Sequence, residues 1–211
     1  MVNNDLGSIM PRSPIAVSRR ERNAADKRER ILAATRKLLE RVEFSDLAVE
    51  AITVKADVAK GTFFTFFPTK RDVLLALYAR LEEGFARLLE SLDGPDPLKA
   101  LDGLYKAAEK MLRMEGASLP ALTRAIFADR DVAALDVHSA RDDIAAYAAF
   151  LTKCKAAGTV RRSLDARRGG EVLSHIWSGT VLMWADANMA FALAPELTAK
   201  AREIFAGFDS A

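Results

Sequence analysis

The sequence predicts an all-α protein: an N-terminal three-helix domain containing a helix-turn-helix, followed by a larger C-terminal helical body. Three observations lead there. Apolar residues recur at helical spacing in one segment after another, so that each segment lines one face. No segment sustains a period of two, and Asp93-Gly94 and Asp102-Gly103, which could turn a hairpin, fall within or between helical patterns. The 211 residues are 50% hydrophobic and 28% charged, enough apolar side chain to bury a sizeable core.

Taken in order, residues 1–18 carry Asn3, Asn4, Gly7, Ser8, Pro11, Ser13 and Pro14 without periodicity and read as a disordered arm. From Arg19 the chain turns helical. Arg19, Arg20, Arg22, Lys27, Arg28 and Arg30 crowd the first turns, and Ile31, Leu32, Thr35, Leu38, Leu39 and Val42 mark one face until Phe44-Ser45-Asp46 breaks it. Val49, Ile52 and Val54 mark a short second helix, Ala56-Asp57-Val58 a turn, and residues 59–66 a third helix. Pro68 ends that helix, because proline biases the preceding Phe67 away from helical backbone. Thr69 is placed to cap the next helix, striped by Val73, Leu74, Leu77, Leu81, Phe85, Leu88, Leu89 and Leu92.

The body continues in the same manner. Leu98, Leu101, Leu104, Tyr105, Ala108, Met111 and Leu112 form a stripe that stops near Gly116. A short helix is expected over 119–128 and a longer one over 138–157, ending at Gly158. Val172, Leu173, Ile176, Trp177, Thr180, Val181 and Trp184 line a helix over 166–189, and Leu197, Ala201, Ile204, Phe205 and Phe208 line one over 196–208. The division falls into a head over 19–70 and a body over 71–211.

Composition narrows the function. No apolar run reaches the ~18 residues of a membrane span, and no basic-then-apolar segment opens the chain. A single cysteine, Cys154, rules out an internal disulfide framework and a multi-cysteine zinc site, and the expected compartment is the cytoplasm. Cys154 reads as a small buried side chain. His138 and His175 lack ligand spacing, and Asp129, Asp131, Asp136, Asp142 and Asp143 around His138 read as a solvated acidic face, so neither metal nor cofactor is expected. No Ser-His-Asp order, phosphate-cradling glycine loop or carboxylate pair marks an enzyme. Charge is uneven: residues 1–70 hold 13 Lys/Arg against 9 Asp/Glu, and the remainder 18 against 20. A basic first third on a faintly acidic remainder suits a head that meets a polyanion.

Residues 49–67 carry the functional argument. Two short helices joined by a tight turn form the plan in which the second helix enters the DNA major groove. Ala51, Ile52, Ala56, Val58 and Phe63 supply the small or apolar residues needed where the helices touch, and Asp57 tolerates the left-handed backbone of the turn. Lys60, Gly61, Thr62 and Thr65 then offer donors, close backbone approach and a reach to phosphate or a thymine methyl. With Lys55, Phe64 and a phosphate-clamping Lys70, they make the expected DNA-binding set. Phe63 and Phe67 are expected in the core, with Phe64 and Phe66 partly exposed toward DNA.

Residues 28–74 resemble the N-terminal domain of the TetR family of transcriptional regulators. The resemblance rests on Ile31-Leu32-Ala33-Ala34, Phe44, Ile52-Thr53, Ala56-Asp57-Val58-Ala59-Lys60-Gly61-Thr62-Phe63-Phe64, Phe67 and Lys70. Glu43, Ala48 and Asp57 depart from the family's Gly, Ser/Thr cap and turn Gly, and Phe64 and Phe66 replace residues with polar tips. The resemblance implies a homodimeric repressor on a near-palindromic double-stranded DNA operator. It implies pairing through the last two long helices, with Gly179 and Ala185 allowing close approach. It also implies release by a small-molecule effector of unknown identity in the body, with Tyr105, Met111, Phe127, Tyr147, Trp177 and Trp184 as candidate lining residues. Two other readings are weighed: a helical protein of the same build that binds ligand or protein but no operator, and a small helical enzyme.

Overall fold

The computed structural model describes residues 18–207, with side chains for all of these except 130–139 and 207. Residues 1–17 of the expected arm, Phe208, and the side chains of Asp131, Asp136 and His138 therefore lie outside the described residues, while Ser18, assigned to the arm, instead caps the first helix. Those residues form nine α-helices and one 3₁₀ turn at Gly116–Ser118, with no strand among them. The helices are α1 (Arg19–Leu39), α2 (Val49–Ala56), α3 (Lys60–Phe66), α4 (Lys70–Glu90), α5 (Pro97–Arg113), α6 (Leu119–Ala128), α7 (Arg130–Ala156), α8 (Ala166–Asp186) and α9 (Leu193–Gly207). None of them is long and apolar enough to cross a membrane.

Local chemistry explains most of the boundaries. Ser18 and Glu21 close a capping box on α1, and Thr69 and Asp72 close another on α4. Asp96 and Asp165 cap α5 and α8. Phe67 ends α3 in extended backbone (φ −136°, ψ 94°), as the following proline requires. Ala48 and Ala59 offer no side-chain cap to α2 and α3.

Several expectations are corrected. Helix α1 stops at Leu39, before the Phe44-Ser45-Asp46 break, so Val42 lies outside it and is exposed. Val54 is 82% exposed, because α2 buries Ile52, Thr53 and Ala56 and a residue two positions from Ile52 points about 200° away. Helix α7 begins at Arg130, not 138: Asp129 turns the chain in extended backbone (φ −93°, ψ 112°) with neither Gly nor Pro to announce it. Helix α8 ends at Asp186, where Asn188 and Met189 adopt left-handed φ of 50° and 60°. Helix α9 starts at Leu193, with Pro195 in a first turn that needs no amide donor.

Two cores result. The head core holds Ile31, Leu32, Ile52, Phe63, Phe67, Val73 and Leu74, and takes in Ala121, Leu122 and Ile126 from α6. The body core holds Phe85, Leu89, Leu101, Tyr105, Tyr147, Leu173, Trp177, Trp184 and Leu197, with Cys154 buried among them. Helix α4 runs through both, so the apolar division crosses α4 instead of falling at residue 70. Within the body, Gly170 lets α8 approach α7 closely, since a Cβ there would stand 2.6 Å from the Ile144 carbonyl oxygen. Ala185 is buried in its own chain, whereas a Cβ on Gly179 would meet open space.

Candidate nucleic-acid interface and ligand cavity

The turn between α2 and α3 is built on Asp57, which is left-handed (φ 50°, ψ 56°). The Val58 amide donates to Thr53 O at 3.1 Å and the Asp57 amide to Val54 O at 3.2 Å, the pair of bonds that terminates a helix around a left-handed residue. Arg30 Nη2 fastens the turn from α1, donating to the Asp57 carbonyl at 2.6 Å and to Asp57 Oδ2 at 2.8 Å. Beneath it, Phe63 is fully buried, in a T-shaped contact with Phe64 at 5.3 Å and a tilted one with Phe67 at 5.9 Å. Phe64 remains 42% exposed and Phe66 half-buried.

Of the expected DNA-binding set, Lys55, Lys60, Gly61, Phe64 and Thr65 are exposed and Thr62 is half-buried. Lys60 Nζ is paired with Glu50 Oε1 at 2.5 Å across the motif. That neighbour holds the Glu50 carboxyl below its ordinary range, through the hydrogen bond first and the charge of Lys60 besides. Thr65 Oγ1 donates to the Gly61 carbonyl at 2.9 Å, leaving its lone pairs outward. Gly61 has nothing within 4 Å of where a Cβ would stand.

Lys70 is the exception in that set. Its ammonium donates to the carbonyls of Phe44, Ser45 and Leu47 at 2.8, 3.0 and 3.0 Å and lies 4.8 Å from the Phe44 ring centre. Three carbonyls occupy all three donors of a lysine. Lys70 therefore ties the α1–α2 loop to α4 instead of standing ready for a phosphate.

Five of the basic residues of α1 divide into two groups. Arg28 packs over the Phe67 ring at 5.2 Å, and Arg30 holds the turn, so both serve the head's own structure. Arg19, Arg20, Asn23 and Lys27 instead line an open groove with Thr62, Thr65 and Phe66 of α3. Their spacing of i, i+1, i+4 and i+8 marks one helical face, a signal already present in the sequence. What that spacing lacks is any indication that α3 forms the opposite wall. Glu50 was likewise missed, because its partner Lys60 sits on another helix.

In the body, a cavity of about 70 Å³ opens between α4, α5, α6, α7 and α8. Met111, Phe127 and Trp177 line it as expected, together with Tyr78, Glu82, Phe85, Asp143 and Val181 among others. Tyr105, Tyr147 and Trp184 do not. Tyr105 is buried beside Trp177, its ring 6.3 Å from the indole and nearly parallel. Trp184 turns its indole N–H to the Phe191 carbonyl at 2.8 Å and carries Arg113 over its ring. Tyr147 is fully buried. Burial is the main cause raising both phenols above the ordinary tyrosine range, and the two hydroxyls face each other closely enough to interact.

Helix α6 touches both sites. Ala121, Leu122 and Ile126 pack in the head core, while Ile126 and Phe127 line the body cavity. Ion pairs fasten the same boundary: Arg124 of α6 to Glu43 at 2.6 Å, Arg36 of α1 to Glu115 at 3.1 Å, and Arg71 of α4 to Asp129 at 2.6 Å.

Residues 31–77, which contain the motif and its left-handed turn, match the family described as bacterial regulatory proteins, tetR family. Over those residues the chain is similar to TetR-family regulators. It is 30% identical over 110 residues to the HTH-type transcriptional repressor KstR of Rhodococcus jostii, and that match spans about half the length of the relative, 52% of each chain. Among solved structures, it is similar to NalD, the secondary repressor of the MexAB-OprM multidrug efflux pump in Pseudomonas aeruginosa. The TM-score there is 0.66 at 18% identity, over 88% of this chain and 97% of that one. It is also similar to Thermus thermophilus FadR, a TetR-family repressor in complex with lauroyl-CoA. Here the TM-score is 0.57 at 27% identity, over 83% and 91% of the two chains. The chain thus shares an all-helical fold with these two solved structures over most of its length.

Proposed function

We propose that this protein is a homodimeric transcriptional repressor of the TetR family that reads a near-palindromic duplex with α3 and releases it when a small molecule occupies the body. One observation carries the reading: Arg19, Arg20 and Lys27 share a groove with Thr62 and Thr65 of the helix that the left-handed turn presents. In the major groove, Lys55, Gly61, Thr62, Phe64 and Thr65 meet DNA, and the α1 cations neutralise phosphates flanking the site. Lys60 joins them by exchanging Glu50 for a phosphate or a guanine edge. Lys70 acts from behind, holding the loop that positions α2.

The head over 19–70 and body over 71–211 are coupled in this reading by α6, which no ligand in the cavity can displace without disturbing the head core. Such a displacement changes the separation of two heads and disfavours the geometry that matches half-sites about one helical turn apart. The exposed side of α8, with His175, Gly179 and Met183, is the face offered to a second subunit together with α9. KstR, NalD and FadR are each described as repressors, and FadR was captured with an acyl thioester, which supports both the direction of control and the use of the body for a ligand.

A second reading, a ligand- or protein-binding relative without an operator, draws on the pairing of Lys60 with Glu50 and the commitment of Lys70 to carbonyls. Selection of bound duplexes from a random DNA library separates the two. The repressor reading expects a palindrome of fixed half-site spacing that Thr62→Ala blurs. Recovery of no sequence above non-specific binding favours the second.

A further inference from the structure

Helix α3 carries few groups that read a base through hydrogen bonds. The side chains that match base edges in the major groove are Arg and Lys on guanine, Asn and Gln on adenine, and Asp and Glu on cytosine. Of these, the run Lys60-Gly61-Thr62-Phe63-Phe64-Thr65-Phe66 contains only Lys60, whose ammonium is paired with Glu50. Thr65 spends its hydroxyl proton on the Gly61 carbonyl, which leaves it lone pairs and a methyl group to offer. The largest exposed side chain of the helix is aromatic. Phe64 is 42% exposed, and its edge-on contact with the fully buried Phe63 braces the ring from the core side. At Gly61, three positions earlier on the same face, a Cβ would meet nothing within 4 Å, so the backbone beside that ring is bare.

We infer that α3 selects its operator by the 5-methyl groups of thymine, with Phe64 as the main specificity-determining residue and the methyl of Thr65 as the second. The inference rests on the reading of α3 as the helix that enters the major groove, and names the base chemistry that helix selects. Thymine is the base that presents a methyl group there. Contact between that methyl and the Phe64 ring withdraws apolar surface on both sides from water and asks neither partner to give up a hydrogen bond. Laid against the amino group of adenine or cytosine, or the carbonyl oxygen of guanine, the same ring would strip water from a polar edge and return nothing.

Charge on the flank supports a duplex as the occupant. Arg19, Arg20 and Lys27 share a groove with Thr65, so cations that neutralise phosphates stand beside the apolar reader. Phosphate contacts fix register and carry no sequence information directly. Lys60, once it leaves Glu50, adds a guanine or phosphate contact at the start of the helix. The labour is divided unequally: the cations set affinity and its salt dependence, and the methyl contacts set most of the choice of sequence.

The test takes the palindrome recovered in the duplex selection and replaces its thymines one at a time by deoxyuridine, which keeps every hydrogen-bonding group and lacks only the methyl. Binding of the full-length protein is followed by fluorescence anisotropy at fixed salt. At symmetry-related positions in each half-site, deoxyuridine should weaken binding roughly fourfold, the factor for one buried methyl group. Phe64→Ala should bind the thymine duplex more weakly and lose the difference between thymine and deoxyuridine at one such position. Thr65→Ser keeps the hydroxyl that donates to Gly61 and removes only a methyl, and should lose that difference at another. If a melting curve shows that Phe64→Ala does not fold, the wild-type series and Thr65→Ser decide. Wild-type sensitivity retained in both variants, or no position at which the wild-type protein loses about twofold, overturns the methyl reading and leaves the operator reading standing. Recovery of no palindrome overturns both.

Discussion

In the head, rings and polar groups are matched closely: Phe63 has no exposed surface, Arg30 closes on Asp57, and Lys70 spends its donors on three carbonyls. The body core encloses larger side chains but leaves Ser174 Oγ buried without a partner among the described residues, and the body also holds a cavity. Such an oxygen costs about 1–3 kcal/mol of stability. If the head presents one surface to a rigid duplex, as proposed, it benefits from being organised in advance. If the body admits a ligand, as proposed, it benefits from packing that a ligand can complete. Helix α6 joins the two regimes, and its position is therefore set by whichever side is better packed.

The largest test of this contrast is truncation on both sides. Phe63→Ala should cost about 3–5 kcal/mol, because it empties the centre of the head core. Met111→Ala, at the half-buried edge of an existing void, should cost about 2 kcal/mol or less. Urea unfolding measures both, and equal losses would break the contrast.

Removing an unpartnered hydroxyl comes next. Ser174→Ala should stabilise by about 1 kcal/mol, raising the melting temperature by roughly 2–4 °C in a chain of this size. A loss of similar size would mean that the hydroxyl has a partner and that the body is as well satisfied as the head.

Smaller again is an acid-range effect in the body. Glu109 accepts the Ala194 amide at 2.9 Å and pairs with Arg113 at 2.7 Å, tying α5 to α9. Burial opposes its charge, but those amide and guanidinium contacts outweigh it and hold the carboxyl below its ordinary value. A depressed folded-state pKa contributes stability above the unfolded value of about 4.3, lost as pH falls through the folded value. Glu109→Gln should therefore be less stable than wild type near neutrality and show a flatter decline below pH ~4. An unchanged acid limb would remove Glu109 from the account.

The smallest effect sharpens the head. Glu50→Gln should release Lys60 with little change in stability, because exposed pairs contribute little. It should raise DNA affinity and steepen the plot of log K against log salt by about 0.9, the increment for one further phosphate contact. A slope unchanged from wild type would mean that Lys60 reaches DNA without leaving Glu50, or does not reach it.

Much of this was legible before any coordinate. The cap at Thr69, the stop at Pro68 and the left-handed Asp57 are local devices, and each sits where its neighbours in sequence require, whereas Ser18, read as part of the arm, caps α1. The start of α7 was not legible, because Asp129 turns the chain without a marker residue. Three of the six residues expected at the cavity line it, and three are packed elsewhere. Trp184 and Trp177 lie on one helix seven positions apart, and which of them meets a void depends on what α4 and α5 bring opposite.

Sequence alone therefore determined the helical class, the motif and its turn, since these follow from spacing, caps and backbone preference within a few residues. Tertiary structure decided what long-range neighbours decide: Lys70 turned inward to three carbonyls, the α1 cations sorted between structure and groove, α6 claimed by both cores. A side chain's role there depends on a partner dozens of residues away, and no local pattern encodes the distance between them.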